Sequence, residues 1–246
     1  MKKLTLAIIC LVTVPSLYAV CSDVPAPGVN WSGCDKSGQN YSALDLHGAI
    51  FTRANLQGTD FSRAKLNDVD FGSANISQAK FIDANLKNSQ LVSANAEQAD
   101  FTGAILDMAS FSRAKLLRAN FTRARLVDVK FYEAKAESAV FNSAILNGSN
   151  FQRANFYRAS FVKAEGERAD FSRASFEEAS LRDSKLLRCE FSKANLTNAD
   201  FTGANLSKSS LREAGIDGAI FDKAILSDTG WVDFLRCPAN AVGQCR

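Results

Sequence analysis

The sequence predicts a solenoid, a chain that coils around one shared interior, and two periodic patterns carry this prediction. From Leu46 to Leu226, every fifth residue is Leu, Ile or Phe in 34 of 37 cases. The residue two places earlier is Ala, Ser, Thr, Val or Cys in 36 of 37. A period of five fits neither a helix nor a strand, because it would scatter apolar residues around a helix and alternate them across a strand. A chain that turns a corner every five residues sends each large residue and its small partner inward instead.

The five-residue unit resembles that of the pentapeptide-repeat family. The family pattern A-[DN]-[LF]-x-x is present at Ala54-Asn55-Leu56, Ala84-Asn85-Leu86, Ala194-Asn195-Leu196 and Ala204-Asn205-Leu206. The resemblance implies an all-β fold, a right-handed quadrilateral parallel β-helix with four pentapeptides, or twenty residues, in each coil.

Sorting the large residues by a period of twenty gives four interior columns, and we name the four faces after them. Face A holds residue 51 and every twentieth residue to 211, with Trp31 and Trp231 at the two ends of the same column. Face B holds residues 56 to 216, face C residues 61 to 221 and face D residues 46 to 226. Phe dominates the opposite faces A and C, Leu fills most of face D, and face B is irregular. We therefore expect two aromatic walls and two aliphatic walls around a filled core. With coils about 4.8 Å apart, the rod would be about 45 Å long.

The chain starts with the features of a bacterial secretory signal peptide over residues 1–19. Lys2 and Lys3 precede an apolar run, residues 4–17, that is too short to span a bilayer, and Ala19 ends a cleavage motif. We therefore expect an exported protein, either periplasmic or extracellular. Without the two lysines, 27 basic residues face 26 acidic ones, so the net charge is about +1.

The mature chain is predicted to be one domain with a cap segment at each end. The expected boundaries are an N-terminal cap at 20–45, the β-helix at 46–231 and a C-terminal cap at 232–246. Trp31 and Trp231 are separated by ten whole coils on face A, so both are expected to be lids on the core.

The cysteines indicate an oxidising compartment. Cys21 and Cys34 precede the repeats, and Cys237 and Cys245 follow them. A solenoid must protect its two open ends, so we predict the disulfides Cys21–Cys34 and Cys237–Cys245. Cys189 occupies a small-residue position and is expected to be a buried, inert thiol. An alternative is a lipoprotein acylated at Cys21, the one case in which we expect membrane attachment.

Catalytic and metal-binding patterns are weak. The single histidine, His47, directly follows an interior residue and should face solvent, so no nucleophilic triad can be assembled around it. Asp60, Asp100 and Asp200 share one outward column, but other residue types interrupt them, which disfavours a carboxylate cluster. We therefore predict a protein that is not an enzyme and has no cofactor or bound metal. Asparagines before the large residues are expected to support the turns; they are Asn55, Asn75, Asn95, Asn155 and Asn195.

One surface feature points to a binding function. Basic residues line the corner between faces A and B, which we call the A–B edge, and we expect them to contact an anionic polymer or an acidic protein. A solvated corner that shields the backbone is the alternative interpretation. The residues are Arg113, Lys115, Lys135, Arg153, Arg173 and Lys193.

The functional relatives known in this family suggest another function, that of a DNA-mimicking protein that binds gyrase. Such mimicry needs a strongly acidic rod in the cytoplasm, whereas this chain is nearly neutral and carries an export signal. We therefore do not expect a nucleic acid partner and prefer an exported structural or binding rod.

Overall fold

The computed structural model describes residues 19–245, which form a four-sided parallel coil. In the parallel bridges, each residue pairs with the residue twenty positions later, from Asn30 with Ile50 to Ser210 with Gly230. Two strands extend beyond single bridges, β1 (Glu165–Glu167) and β2 (Lys185–Leu187), and they pair in parallel. No helix in this range could cross a membrane. Apart from Ala19, the expected signal peptide lies outside the described residues.

The corners follow from one repeated hydrogen-bond pattern. Around Phe51, the N–H of Phe51 donates to the carbonyl of Asp70 in the next coil (2.7 Å), and the N–H of Ala54 donates back to the carbonyl of Phe51 (2.9 Å). The turn thus closed contains Arg53, whose φ is 58°. Turns of this kind need a left-handed residue at their third position. Because every pentapeptide contains one, the chain bends every five residues.

Asparagine side chains support these turns, as the sequence predicts. The Oδ1 of Asn75 accepts the backbone N–H of Ser77 (3.2 Å). The same side chain also links coils, since the Nδ2 of Asn75 donates to Asn55 (3.2 Å) and the Nδ2 of Asn95 donates to Asn75 (3.3 Å). The asparagine run is therefore accounted for by the fold.

Phenylalanine rings fill the core in two stacked walls that meet edge to face. Rings twenty residues apart stack in parallel, for example Phe141 on Phe161 at 4.6 Å and Phe61 on Phe81 at 5.2 Å between centroids. Between the walls, Phe111 and Phe121 are 5.5 Å apart at an interplanar angle of 87°. Offset stacks and perpendicular contacts are the favoured aromatic arrangements. The predicted aromatic packing is confirmed.

The N-terminal coil begins earlier than the expected boundary at residue 46. Asn30 already pairs with Ile50, and Trp31 and Tyr41 occupy the interior of faces A and C. Lys36 stands where the register expects an apolar residue, and its Nζ lies 4.1 Å from the centre of the Trp31 ring. Trp31 is fully buried. Residues assigned to a cap therefore form the first coil, closed by a cation–π contact.

The C-terminal segment folds back on the last coil. Val242 and Arg236 pair antiparallel with Ile225 and Gly230. The N–H of Leu226 donates to the carbonyl of Ala241 (2.9 Å). This pairing covers part of a strand edge that would otherwise be open.

Both predicted disulfides are present. Cys21 joins Cys34, and Cys237 joins Cys245. On the chain-entropy account, closing loops of these lengths contributes roughly 2 to 3 kcal/mol each. Cys21–Cys34 ties the N-terminal segment to the first coil, and Cys237–Cys245 closes a loop within the C-terminal segment. Both indicate an oxidising environment.

Cys189 is the free, buried cysteine among residues 19–245, as predicted. It lies at a position that serine holds in other coils. The hydroxyl of Ser209 donates to the carbonyl of Leu186 (2.6 Å) and accepts the N–H of Cys189 (2.9 Å). The Cys189 thiol lies 3.4 Å from the carbonyl of Gly166. Burial raises the pKa of this thiol to about 12, so it is protonated at neutral pH.

Candidate functional site

The A–B edge forms because its residues recur at fixed positions in the coil. Arg113, Arg153, Arg173 and Lys193 are all left-handed corner residues that follow face A, with φ between 57° and 61°. Lys115 and Lys135 pair with each other on the adjoining face B. The fold therefore brings all six predicted residues to one edge of the rod.

Glu133 partly neutralises the part of the A–B edge that Arg113 and Arg153 form. Its carboxylate lies 3.0 Å from the Nε of Arg113 and 3.7 Å from an Nη atom of Arg153. Hydrogen bonds from Arg113 and then from Tyr132 lower the pKa of Glu133, so the carboxylate is ionised at neutral pH. Both arginines remain largely exposed.

The other basic residues of the A–B edge are more available to pair with a ligand. Lys193 lies 3.4 Å from the carboxylate of Glu213. Within residues 19–245, Arg173, Lys115 and Lys135 have no ion pair or side-chain hydrogen bond. Exposed ion pairs contribute little and exchange easily, so a ligand anion can compete for the paired bases.

A second basic row, which was not predicted from the sequence, lies on the other border of face A. We call this row the D–A edge; it consists of Arg168, Arg188 and Lys208, which are corner residues after face D. Arg188 contacts the carboxylate of Glu167. Sorting the corner positions by twenty would have revealed this row, since the three bases follow one another without interruption.

A cleft of about 320 Å³ lies on face A next to the A–B edge. It is lined by Tyr132, Gln152, Arg153, Ser172 and Arg173. An aromatic ring, a hydroxyl, an amide and two guanidinium groups therefore meet at one place. These groups can hydrogen-bond and pair with an anionic ligand.

The remaining polar candidates have structural partners. His47 is exposed, as predicted, and its Nδ1 lies 2.7 Å from the Oδ1 of Asp45. Asp60, Asp100 and Asp200 each accept the backbone N–H two residues ahead, at 2.8 to 2.9 Å. In the described part of the chain, no three His, Cys, Asp or Glu side chains are placed to hold a metal ion.

Family comparisons agree with this architecture. The family described as pentapeptide repeat region matches residues 28–101. The family described as pentapeptide repeats (8 copies) matches residues 104–142, 137–165, 149–188 and 189–228. Together these matches cover most of the chain, so the chain belongs to the pentapeptide-repeat family. No protein of curated function matches the sequence significantly.

Two solved structures resemble this chain to different degrees. HetL of the cyanobacterium Nostoc, a pentapeptide repeat protein involved in heterocyst differentiation regulation, is 22% identical over 85% of this chain and 92% of its own, with a TM-score of 0.64. QnrB1, a plasmid-mediated fluoroquinolone resistance protein, is 18% identical over 80% of this chain and 90% of its own, with a TM-score of 0.42. The likeness to HetL supports the right-handed quadrilateral β-helix and does not transfer a function.

Proposed function

We propose that this protein is an exported, non-enzymatic binding rod whose A–B edge contacts an anionic polymer or an acidic protein. The observation that carries the proposal is the concentration of six basic side chains on one edge, three of which have no partner among the described residues. Export is supported by the two disulfides and by the signal-like start of the sequence. A near-neutral net charge argues against imitation of DNA.

The test is binding of the mature protein to heparin, used as a model polyanion, at increasing salt concentration. We expect retention near physiological salt and a steep fall in affinity above it, because each pairing releases counterions and salt screens exposed charges over about 8 to 10 Å. Failure to bind at physiological salt would contradict the proposal.

Matched charge reversals show whether the A–B edge is responsible for heparin binding. Replacing Arg113, Arg153 and Arg173 by Glu should abolish retention of the protein on heparin. The control replaces Arg63, Arg123 and Lys163, which occupy the equivalent left-handed corner position after face C, with φ of 58° to 60°. Both variants change the net charge equally and add the same backbone strain. Equal loss in the two variants would show that net charge alone matters.

A further inference from the structure

Face A lies between two parallel rows of bases. Two coils carry a base on both borders: Arg168 and Arg188 face Arg173 and Lys193 across the surface, while Arg153 and Lys208 extend the rows in opposite directions. Bases within a row repeat with the coil spacing of about 4.8 Å. The rows are five residues apart along the chain, so they are separated by less than about 17 Å. We call the strip of face A between the two rows the trough, and the surface of that strip its floor.

The floor of this trough is acidic and rich in hydroxyl groups. Asp170 accepts the backbone N–H of Ser172 (2.9 Å) and a bond from the amide of Gln152. Glu190 accepts the backbone N–H of Ser192 (3.0 Å). Carboxylates accept hydrogen bonds and repel anions. A well-matched ligand would therefore place its anionic groups over the two rows and hydrogen-bond donors over the floor.

An acidic glycan combines these properties, whereas polyphosphates and nucleic acid backbones have few or no hydroxyl donors to offer the floor. The phosphates of a B-form strand also repeat about every 3.4 Å, out of step with coils about 4.8 Å apart. The charge pattern favours a carboxylated sugar chain lying parallel to the rod axis, and the spacing of the bases disfavours a B-form strand.

Tyr132 provides the apolar contact that a sugar ring needs. It belongs to the same outward column as Gln152 and Ser172, is half-buried, and lines the cleft beside Arg153 and Arg173. Together with Arg113, its hydroxyl lowers the pKa of the neighbouring Glu133 carboxyl. The ring face can pack against the C–H groups of a sugar, and the arginines can pair with its carboxylate.

We propose that face A binds an acidic glycan, with Tyr132 as the sugar platform and the two basic rows as the carboxylate sites. This inference rests on the proposed function and names its ligand class. It adds the D–A edge, whose residues Arg168, Arg188 and Lys208 contact the same glycan from the opposite side of face A.

The probe is polygalacturonate, compared with polyphosphate of equal charge and with neutral dextran, by titration calorimetry near physiological salt. We expect polygalacturonate to bind more tightly than polyphosphate, and dextran not to bind. If polyphosphate binds as tightly as polygalacturonate, the glycan inference falls while the proposed polyanion function stands. If neither polyanion binds, both fall.

Substitutions distinguish the contribution of the Tyr132 ring to binding from that of its hydroxyl. Tyr132→Ala should weaken polygalacturonate binding about fivefold, because an aromatic contact of this kind contributes about 1 kcal/mol. Tyr132→Phe keeps the ring and should retain binding. The control is Tyr157→Ala, which removes an equivalent outward tyrosine from face B. Equal affinity of the Tyr132→Ala and Tyr157→Ala proteins for polygalacturonate would overturn the inference.

Charge reversal tests the second row. Replacing Arg168, Arg188 and Lys208 by Glu should reduce polygalacturonate affinity as strongly as reversal of the A–B edge. Thermal melts of each variant establish that the rod remains folded. A folded D–A variant with unchanged affinity would show that the ligand does not lie across face A.

Discussion

Gly166 allows the packing of the core to be tested at one position. It occupies a large-residue position on face D, opposite Phe156 and Phe176, whose rings stack 5.0 Å apart on face B. Its backbone is not left-handed, so conformation alone does not require glycine. A Cβ at this position would lie 3.2 Å from the Cδ2 of Leu186 and 3.6 Å from the Cβ of Leu146. The missing side chain therefore compensates for the two extra aromatic rings.

Gly166→Leu should destabilise the rod by overpacking. Its first added carbon already makes a tight contact with Leu186, and three more carbons must enter a filled layer. Overpacking of this kind costs about 1 to 3 kcal/mol. In a protein of this length, 1 kcal/mol lowers the melting midpoint by roughly 2 to 4 °C. Thermal melts should therefore show a fall of about 2 to 12 °C.

Two further variants serve as a control and as a test of the volume compensation. Ala96 lies at a large-residue position on face B without an aromatic partner opposite, so Ala96→Leu should be neutral or stabilising. In the double variant Phe156→Leu with Gly166→Leu, the loss of stability should be smaller than the sum of the losses in the two single variants, because the two changes in side-chain volume compensate. A stable Gly166→Leu protein together with a destabilised Ala96→Leu protein would refute the four-column register.

Four other predictions follow from the charges, the thiol and the start of the chain. Cys189 should resist thiol reagents in the native protein and react once unfolded; rapid native labelling would contradict its burial. Hydrogen bonds from the ring and backbone of His47 lower the pKa of Asp45 from 3.8 to about 2. The stability it contributes should be present above about pH 4 and lost as pH falls towards 2, and an Asp45 pKa near 3.8 by NMR would refute this. Glu133→Gln should raise heparin affinity by releasing the two arginines that it pairs, and lower affinity would contradict that role. A C-terminally tagged protein should appear in the periplasm or medium without its first nineteen residues; full-length protein in the cytosol would argue against export.

The interior of the rod could be predicted closely from the sequence because each core position has a fixed place in the period. Seventeen phenylalanines, the buried Cys189 and both disulfides follow from position alone. The first coil was missed because Lys36 breaks the apolar pattern. Its aliphatic stem and charge close the end of the core over Trp31, an arrangement that depends on the three-dimensional position of a single flexible side chain.

The surface was predicted less completely, for two physical reasons. A column of charges shows which residues share an edge, but it does not show their ion pairs, so the contacts of Glu133 with Arg113 and Arg153 required the side-chain positions. The floor of face A also depends on which groups Asp170 and Glu190 already bind. The D–A edge, by contrast, was present in the sequence pattern and needed only the same sorting applied to another column.

Face A is proposed to contact an anionic chain along its length. Carbodiimide coupling tests it directly, because the reagent joins ligand carboxylates to the lysine amines that they touch. After coupling to polygalacturonate, peptide mapping should find modified Lys193 and Lys208, which lie on the two borders of face A. Lys163 and Lys223, at the opposite corner after face C, should remain largely unmodified. Equal modification of both pairs, or preference for Lys163 and Lys223, would show that the ligand does not lie along face A.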